Sequence, residues 1–316
     1  MHTPYSLRLH QGVALLLFLL LTLLPPRHSY AAEQLAPQVS LVALTKAGSH
    51  WIGAGDLGTV VLSEDAKIWR AAESKPVQEL LTAVAFTDAQ RGWAVGHGGV
   101  VLYTEDGGTH WVLQARLEGS PVLLSVWAGT QGVAIITGAY GYAARTTNAG
   151  QTWEAFRPAE EGSDYHLNQI FGAPDGALFI AAESGVAYRS KDGGQHWTLL
   201  DTGVQGSLWT GLALADGRLL MAGMSGRVLL SEDGGDKWRV LDPGVEEAIT
   251  ALVQLPDGRV ALAGNGGVLS VSDAALEHFT TTVRSDRQNL AALEPLEGGK
   301  VLVAGQQGIR VQDIPR

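Results

Sequence analysis

The chain has 316 residues, no cysteine and a formal charge of −10. Without cysteine there is no disulfide, no thiolate nucleophile, no Cys-ligated zinc and no site for lipoprotein acylation. The acidic balance argues against nucleic acid, whose phosphates demand clustered Lys and Arg, and against charge-driven adhesion to anionic lipid.

At the amino terminus Arg8 precedes an apolar run from Val13 to Leu24, followed by Pro25 and Pro26 and the small-residue stretch Ser29, Tyr30, Ala31. This order predicts a secretory signal peptide over 1–31, cleaved after Ala31 or Ala32. An uncleaved anchor is the alternative, but the run is shorter than the roughly 20 residues a spanning helix needs. Removing 1–31 takes away two arginines and no acid, so the formal charge falls to −12. The remainder, 32–316, is expected to be one periplasmic, monomeric domain with no integral membrane span.

From Val39 onward one pattern repeats seven times. Its clearest mark is a small-x-x-Gly step: Gly55 to Gly58, Gly96 to Gly99, Gly138 to Gly141, Ala182 to Gly185, Gly223 to Gly226, Gly264 to Gly267 and Gly305 to Gly308. The second glycines are spaced 41, 42, 44, 41, 41 and 41 residues apart, a period that suits four-stranded propeller blades. An aromatic column, Trp69, Trp111, Trp153, Trp197, Trp238 and Phe279, follows each step by 11 or 12 residues. Each repeat opens with an apolar run such as Leu81 to Phe86 or Ile249 to Leu252, turns at signals such as Pro174-Asp175-Gly176, and continues into a second apolar run. The order within a repeat is therefore strand, hairpin, strand, Gly step, strand, turn, strand.

The last turn carries its own motif in four copies, Thr104 to Trp111, Thr147 to Trp153, Ser190 to Trp197 and Ser231 to Trp238. These resemble Asp-boxes, or BNR repeats. The Ser/Thr and Asp side chains can bond nearby amides, the glycines supply positive φ, and the tryptophan anchors the next strand. Copies at Ser63 to Asp65 and Ser272 to Asp273 are degenerate, and the seventh repeat stops at Asp313 before any box. The predicted fold is all-β, a seven-bladed β-propeller of four-stranded blades with Asp-box turns. Residues Glu33 to Pro37 are expected to supply the missing fourth strand and close the ring.

The Gly steps and the links between blades fall on one face, the hairpins and Asp-boxes on the other. The variable residues of the steps form a ring, Asp56, His97, Tyr140, Glu183, Met224, Asn265 and Gln306. Seven different side chains at equivalent places suit either a binding surface or solvated turns free to drift. The longest link, Arg157 to His166, adds Tyr165 and His166 among Glu160, Glu161 and Asp164. Carboxylates dominate the links, so the face is expected to be acidic with scattered arginines. The binding residues predicted are Asp56, His97, Tyr140, Glu183, Asn265, Gln306, Tyr165 and His166. A further column, Ser40, Thr82, Ser125, Asn168, Thr210, Thr250 and Ala291, is expected to face the channel and hold ordered water.

No catalytic residue is predicted. A glycosidase needs two carboxylates across a site, and a sialidase an arginine cluster and a Tyr paired with Glu. Here Arg145, Arg189, Arg227 and Arg310 do not align, no Phe-Arg-Ile-Pro sequence occurs, and Tyr140 with Glu183 is the one conceivable pair. His97, His110, His166 and His196 lack metal-ligand spacing, so no metal or other cofactor is expected.

The boxes, the stretch from Arg91 to Trp111 (RGWAVGHGGVVLYTEDGGTHW) and the seven-repeat length together resemble the photosystem II stability and assembly factor family of cyanobacteria and chloroplasts. The resemblance covers 39–313. It implies a non-enzymatic, exported propeller that binds a membrane protein or its subunits during assembly, through an arginine-rich patch in the photosynthetic members. Similar propellers occur in non-photosynthetic bacteria beside RND-type exporters. The expected function is thus a non-catalytic periplasmic module that binds a membrane protein complex or its assembly intermediates, an RND-type exporter being one such complex. A photosystem II assembly factor is the alternative, and a glycan-binding or glycan-cleaving propeller the second.

Overall fold

The computed structural model describes residues 39–158 and 164–315. These form seven antiparallel sheets, each a consecutive meander. The second blade shows the plan: Leu81–Phe86, Gly92–Gly96, Val100–Thr104 and Val112–Arg116 pair in sequence order. Each innermost strand touches that of the next blade, and Leu41–Ala47 of blade 1 touches Leu290–Leu296 of blade 7, so the ring closes. This is the expected β-propeller. Among the described residues blade 7 has three strands, and Glu33 to Pro37, like the leader 1–31, lies outside them.

The apolar core is divided among the seams between blades. Seven buried clusters each draw on two adjacent blades. The second strands explain this, because they are buried on both faces: Gly92–Gly96, Leu178–Ala182, Leu219–Gly223 and Val260–Gly264 have no exposed residue. Such strands read as continuous apolar runs rather than alternating ones. The seam between blades 7 and 1 is the smallest, built on Leu41, Val61, Ala66, Trp69, Leu302 and Ala304.

The Asp-box works as its chemistry predicts. In box 2, Thr104 Oγ1 accepts from Gly108 N at 3.1 Å, Asp106 Oδ1 accepts from His110 N at 2.8 Å, and Trp111 Nε1 donates to Gly108 O at 3.0 Å. Boxes at Ser190 and Ser231 repeat all three bonds. Backbone donors hold the Asp192 carboxyl well below the usual range, the His196 N–H first. The degenerate copies still turn: Asp65 accepts from Lys67 N and Ile68 N, and Asp273 from Glu277 N. Trp111 is fully buried, whereas Trp153, Trp197 and Trp238 remain half-buried.

Six members of the expected column, Thr82, Ser125, Asn168, Thr210, Thr250 and Ala291, do line the central channel, but Ser40 does not and the column is not aligned from blade to blade. A β-bulge after the first residue of the innermost strand recurs in all seven blades. Thr82, Asn168 and Thr250 do share one position, but Ser125 and Thr210 lie one residue further on and Ser40 precedes the strand. Their polar atoms also staple blades rather than wait for water. Thr82 Oγ1 donates to Leu123 O at 2.8 Å, Asn168 Nδ2 to Leu208 O at 2.8 Å and Thr250 Oγ1 to Leu290 O at 2.6 Å, each in the next blade. Ser125 Oγ accepts from Ile170 N at 3.3 Å across the following seam.

The innermost strands enclose a central channel of about 440 Å³. Glu294 is the one carboxylate on its wall. Its side chain is partly reachable from the channel and otherwise enclosed by protein, and that burial pushes its carboxyl up to about 7, against a small opposing pull from Lys46. A carboxyl that binds its proton more tightly folded than unfolded costs stability as pH rises from its ordinary range through about 7.

Two outcomes follow for stability. Trp111→Ala should cost about 3 to 5 kcal/mol in denaturant unfolding. Glu294→Gln should melt above the parent protein at pH 8, with the gap closing by pH 5; equal melting curves at pH 8 would contradict the buried-carboxyl assignment.

Candidate functional site

Each Gly step lies between two backbone segments. The N–H of its first variable residue donates to the carbonyl of the residue just before that blade's innermost strand: Asp56 N to Ser40 O, His97 N to Leu80 O, Ala139 N to Val122 O, Glu183 N to His166 O, Met224 N to Ser207 O and Asn265 N to Ala248 O, at 2.9 to 3.0 Å. The second glycine is left-handed, with φ from 65° to 80° in all seven steps. At Gly58, Gly99, Gly185 and Gly226 a Cβ would collide with a carbonyl of the outgoing link, Val245 O at Gly226 and Val204 O at Gly185 for example, whereas at Gly308 it would meet only ordinary contact. The residue before that glycine is also left-handed, with φ from 56° to 68° in six steps.

That register places Tyr140 apart from the rest of the expected ring. Asp56, His97, Glu183, Met224, Asn265 and Gln306 hold the first variable position, which in blade 3 belongs to Ala139; Tyr140 holds the left-handed second position. Left-handed backbone is costly for a bulky side chain. Gly98 and Gly266 fill it without strain in blades 2 and 6, yet blades 1 and 3 put Leu57 and Tyr140 there, 56% and 65% exposed. Neither side chain recovers the cost by burial.

The predicted residues separate into groups around the rim. Between blades 3 and 4, the Tyr140 and His166 rings sit 4.8 Å apart, Gly141 N donates to Tyr165 O at 2.8 Å, and Glu183 Oε2 accepts from His166 N at 3.2 Å. Arg157 braces this cluster, donating to Tyr140 O and to Asp164 Oδ1, both at 3.0 Å. Tyr140, Tyr165, His166 and Glu183 are thus one constellation. Gln306 belongs to another, a cleft between blades 6 and 7 lined by Arg284, Asp286, Asn289, Gln307 and Arg310. Asn265, His97 and Asp56 stand in blades 6, 2 and 1, away from the first cluster.

The carboxylates of the link-bearing face do not stand alone. Arginines meet its carboxylates: Arg116 with Glu79 at 2.7 Å, Arg157 with Asp164 at 3.0 Å, Arg284 with Asp286 at 2.5 Å and Arg287 with Glu247 at 3.3 Å. The Arg116 guanidinium brings the Glu79 carboxyl down to about 2, and Arg284 does the same for Asp286. Arg310 donates to Gln307 Oε1 at 2.6 Å. A sequence signal for these arginines existed: Arg116, Arg157 and Arg284 each close or directly follow a fourth strand, which returns the chain to the Gly-step face. Leu57 and Arg116 are the members of the face that the sequence reading passed over.

The model of the photosynthesis system II assembly factor YCF48 family matches residues 61–309. The chain belongs to this family. Among curated members, the photosystem II assembly lipoprotein Ycf48 of Synechococcus sp. (strain CC9902) is 28% identical over 159 residues, 49% of this chain and 46% of that protein. The photosystem II assembly protein Ycf48 of Synechococcus sp. (strain JA-2-3B'a(2-13)) is 32% identical over 141 residues, 41% of this chain and 39% of that protein. Each match spans less than half of the relative's length. Among solved structures, YCF48 bound to D1 peptide superposes with a TM-score of 0.71 at 22% identity, covering 88% of this chain and 94% of that one. YCF48 from Cyanidioschyzon merolae gives 0.66 at 17%, covering 88% and 96%. A streptogramin B lyase gives 0.76 at 10% identity; at such identities the likeness is one of fold.

Tyr140→Asn keeps the left-handed turn with a residue that tolerates it. Its unfolding free energy should stay within about 0.5 kcal/mol of the parent. Gly226→Ala, by contrast, should cost more than about 1 kcal/mol, and both are read by denaturant titration.

Proposed function

We propose that this chain is a non-catalytic assembly factor of the photosystem II type, which holds a segment of a membrane-protein subunit against its Gly-step face while the complex is built. The family match over 61–309 carries this reading. It favours the photosystem partner over an RND-type exporter, for which no observation speaks. It also leaves the glycan-binding alternative without support. The relative bound to a D1 peptide has the same fold, so a D1-like segment is the first partner to test. Recognition would be by surface complementarity. Tyr140, Tyr165 and His166 offer an aromatic platform, and Arg157, Arg284, Arg287 and Arg310 offer donors for carboxylates and backbone carbonyls.

The exposed, strained Tyr140 supports the choice of face, since strain kept without a gain in packing is expected where a side chain serves binding. His97, Asp56, Asn265 and Gln306 would extend the contact around the rim. The domain would act at the periplasmic or lumenal side and as a monomer. Among the described residues no helix is long and apolar enough to cross a membrane.

The test is fluorescence anisotropy of labelled, overlapping D1 peptides with the domain from residue 32 onward. One peptide should bind saturably, and Tyr140→Asn and Arg310→Glu should each weaken it about tenfold, or 1.4 kcal/mol. Binding that both variants leave intact would remove the face assignment. Absence of any D1 binding, with an exporter subunit captured instead from solubilised membranes, would overturn the photosystem reading.

A further inference from the structure

The recurrent bulge of the innermost strands re-aims one side chain per blade. In every blade the second residue of that strand has no partner across the ladder, and all seven of these residues line the central channel. The residue before each pairs with the first small residue of the Gly step, as Leu208 does with Gly223 and Leu167 with Ala182. The bulged residues therefore ring the channel mouth on the Gly-step face, and none of them is charged.

Blades 4 and 5 depart from the pattern. Thr82 and Thr250 hold the bulge in blades 2 and 6 and spend their hydroxyls on the next strand. Blade 5 places Trp209 there, partly exposed and outside every buried cluster. Its Nε1 makes no hydrogen bond among the described residues and is not sealed from solvent. A tryptophan so placed forgoes both the burial and the bond that this side chain usually obtains. Beside it, Asn168 Nδ2 donates to Leu208 O at 2.8 Å, and Gln169 Oε1 accepts from Gly211 N at 2.6 Å. These bonds fix both amide orientations, leaving Asn168 Oδ1 as an acceptor and Gln169 Nε2 as a donor on the channel wall. The same strands lead out to the rim cluster: Asn168 follows His166 by two residues, and Ser207, two before Trp209, accepts at Oγ from Ser184 N at 3.4 Å.

We propose that the docking face continues into the channel mouth, where Trp209, Asn168 and Gln169 hold an extended, uncharged stretch of the partner segment whose neighbouring residues lie on the rim platform. The inference rests on the docking reading above and adds a second contact to it. A free acceptor, a free donor and an aromatic surface on adjacent blades match the backbone C=O and N–H groups and one apolar side chain of an extended peptide. With no charge in the ring of bulged residues, a charged side chain entering there would lose hydration without gaining a counter-ion. The mouth thus selects an uncharged stretch, while the arginines around it serve the charged or carbonyl groups that stay on the rim.

The test uses the domain from residue 32 onward and the tightest-binding of the labelled D1 peptides. Asn168→Thr removes the free acceptor and keeps a hydroxyl for the next strand, as Thr82 and Thr250 do. Trp209→Ala gives blade 5 the residue that blade 7 has at Ala291. Each should weaken the peptide about tenfold with little change in melting temperature. Ala291→Cys, in a chain without other cysteine, puts a single thiol in the same mouth, and that thiol should lose its reaction with N-ethylmaleimide as the peptide saturates. Should Trp209→Ala fail to fold, this protection decides the matter. If Tyr140→Asn and Arg310→Glu weaken binding while the channel variants do not and the thiol stays reactive, this proposal falls and the rim reading stands. If no D1 peptide binds, both fall. Protection of the thiol by maltose and not by peptide would assign the mouth to a sugar and overturn the proposal as well.

Discussion

Backbone lies on backbone at the Gly steps of blades 1, 2, 4 and 5, and the geometry of the rim depends on that approach. The first small residue sits beneath the carbonyl that leads into its own blade, as Gly223 does under Ser207 O, and the second beneath the outgoing link, as Gly226 does under Val245 O. A Cβ at Gly223 or Gly226 would run into those carbonyls, although Ala182 shows that the first place can take a methyl group in blade 4. Between these fixed points the first variable residue is tied by its N–H and leaves its side chain free. The step therefore combines an invariant backbone with an interchangeable side chain. A ring of different residues can be presented at no expense to the ring that carries it.

Stability is distributed in the same modular way. Each seam has its own apolar cluster, and several carry a polar staple, such as Thr82 to Leu123 O or Thr250 to Leu290 O. At the closing seam Ile309 fits over Gly53, against the position a Cβ would occupy, and the contacts are apolar.

Much of this was legible in the sequence because the fold's demands are local. Gly58 and its six equivalents are all left-handed, and Trp111 must reach back to Gly108, so both columns repeat with the blade. The polar column was misaligned for an equally physical reason. The place of Thr82 is held in blades 3 and 5 by Leu124 and Trp209, and the nearest small polar residue, Ser125 or Thr210, lies one position further on, so polarity alone picks the wrong equivalents. The pairing of charges on the face was not legible because Glu79 and Arg116, or Glu247 and Arg287, are 37 and 40 residues apart and meet only when the blade is folded. Glu294 carried no signal at all, since only closure of the ring encloses it.

The paired arginines also bear on how an acidic protein could take an acidic or neutral segment. Their ion pairs are exposed, Arg287 with Glu247 and Arg157 with Asp164 most clearly, and exposed pairs contribute about 0 to 1 kcal/mol each. Exchanging one link carboxylate for a partner's carboxylate thus costs little, while the bidentate geometry available to a guanidinium rewards a well-placed ligand. Net charge of −10 sets the long-range field and slows approach of an anionic partner. At contact range the decisive terms are these local donors and the aromatic platform beside them. A rim that is repulsive at distance and adhesive at contact selects for partners already held nearby, which is the situation of a subunit tethered in the same membrane system.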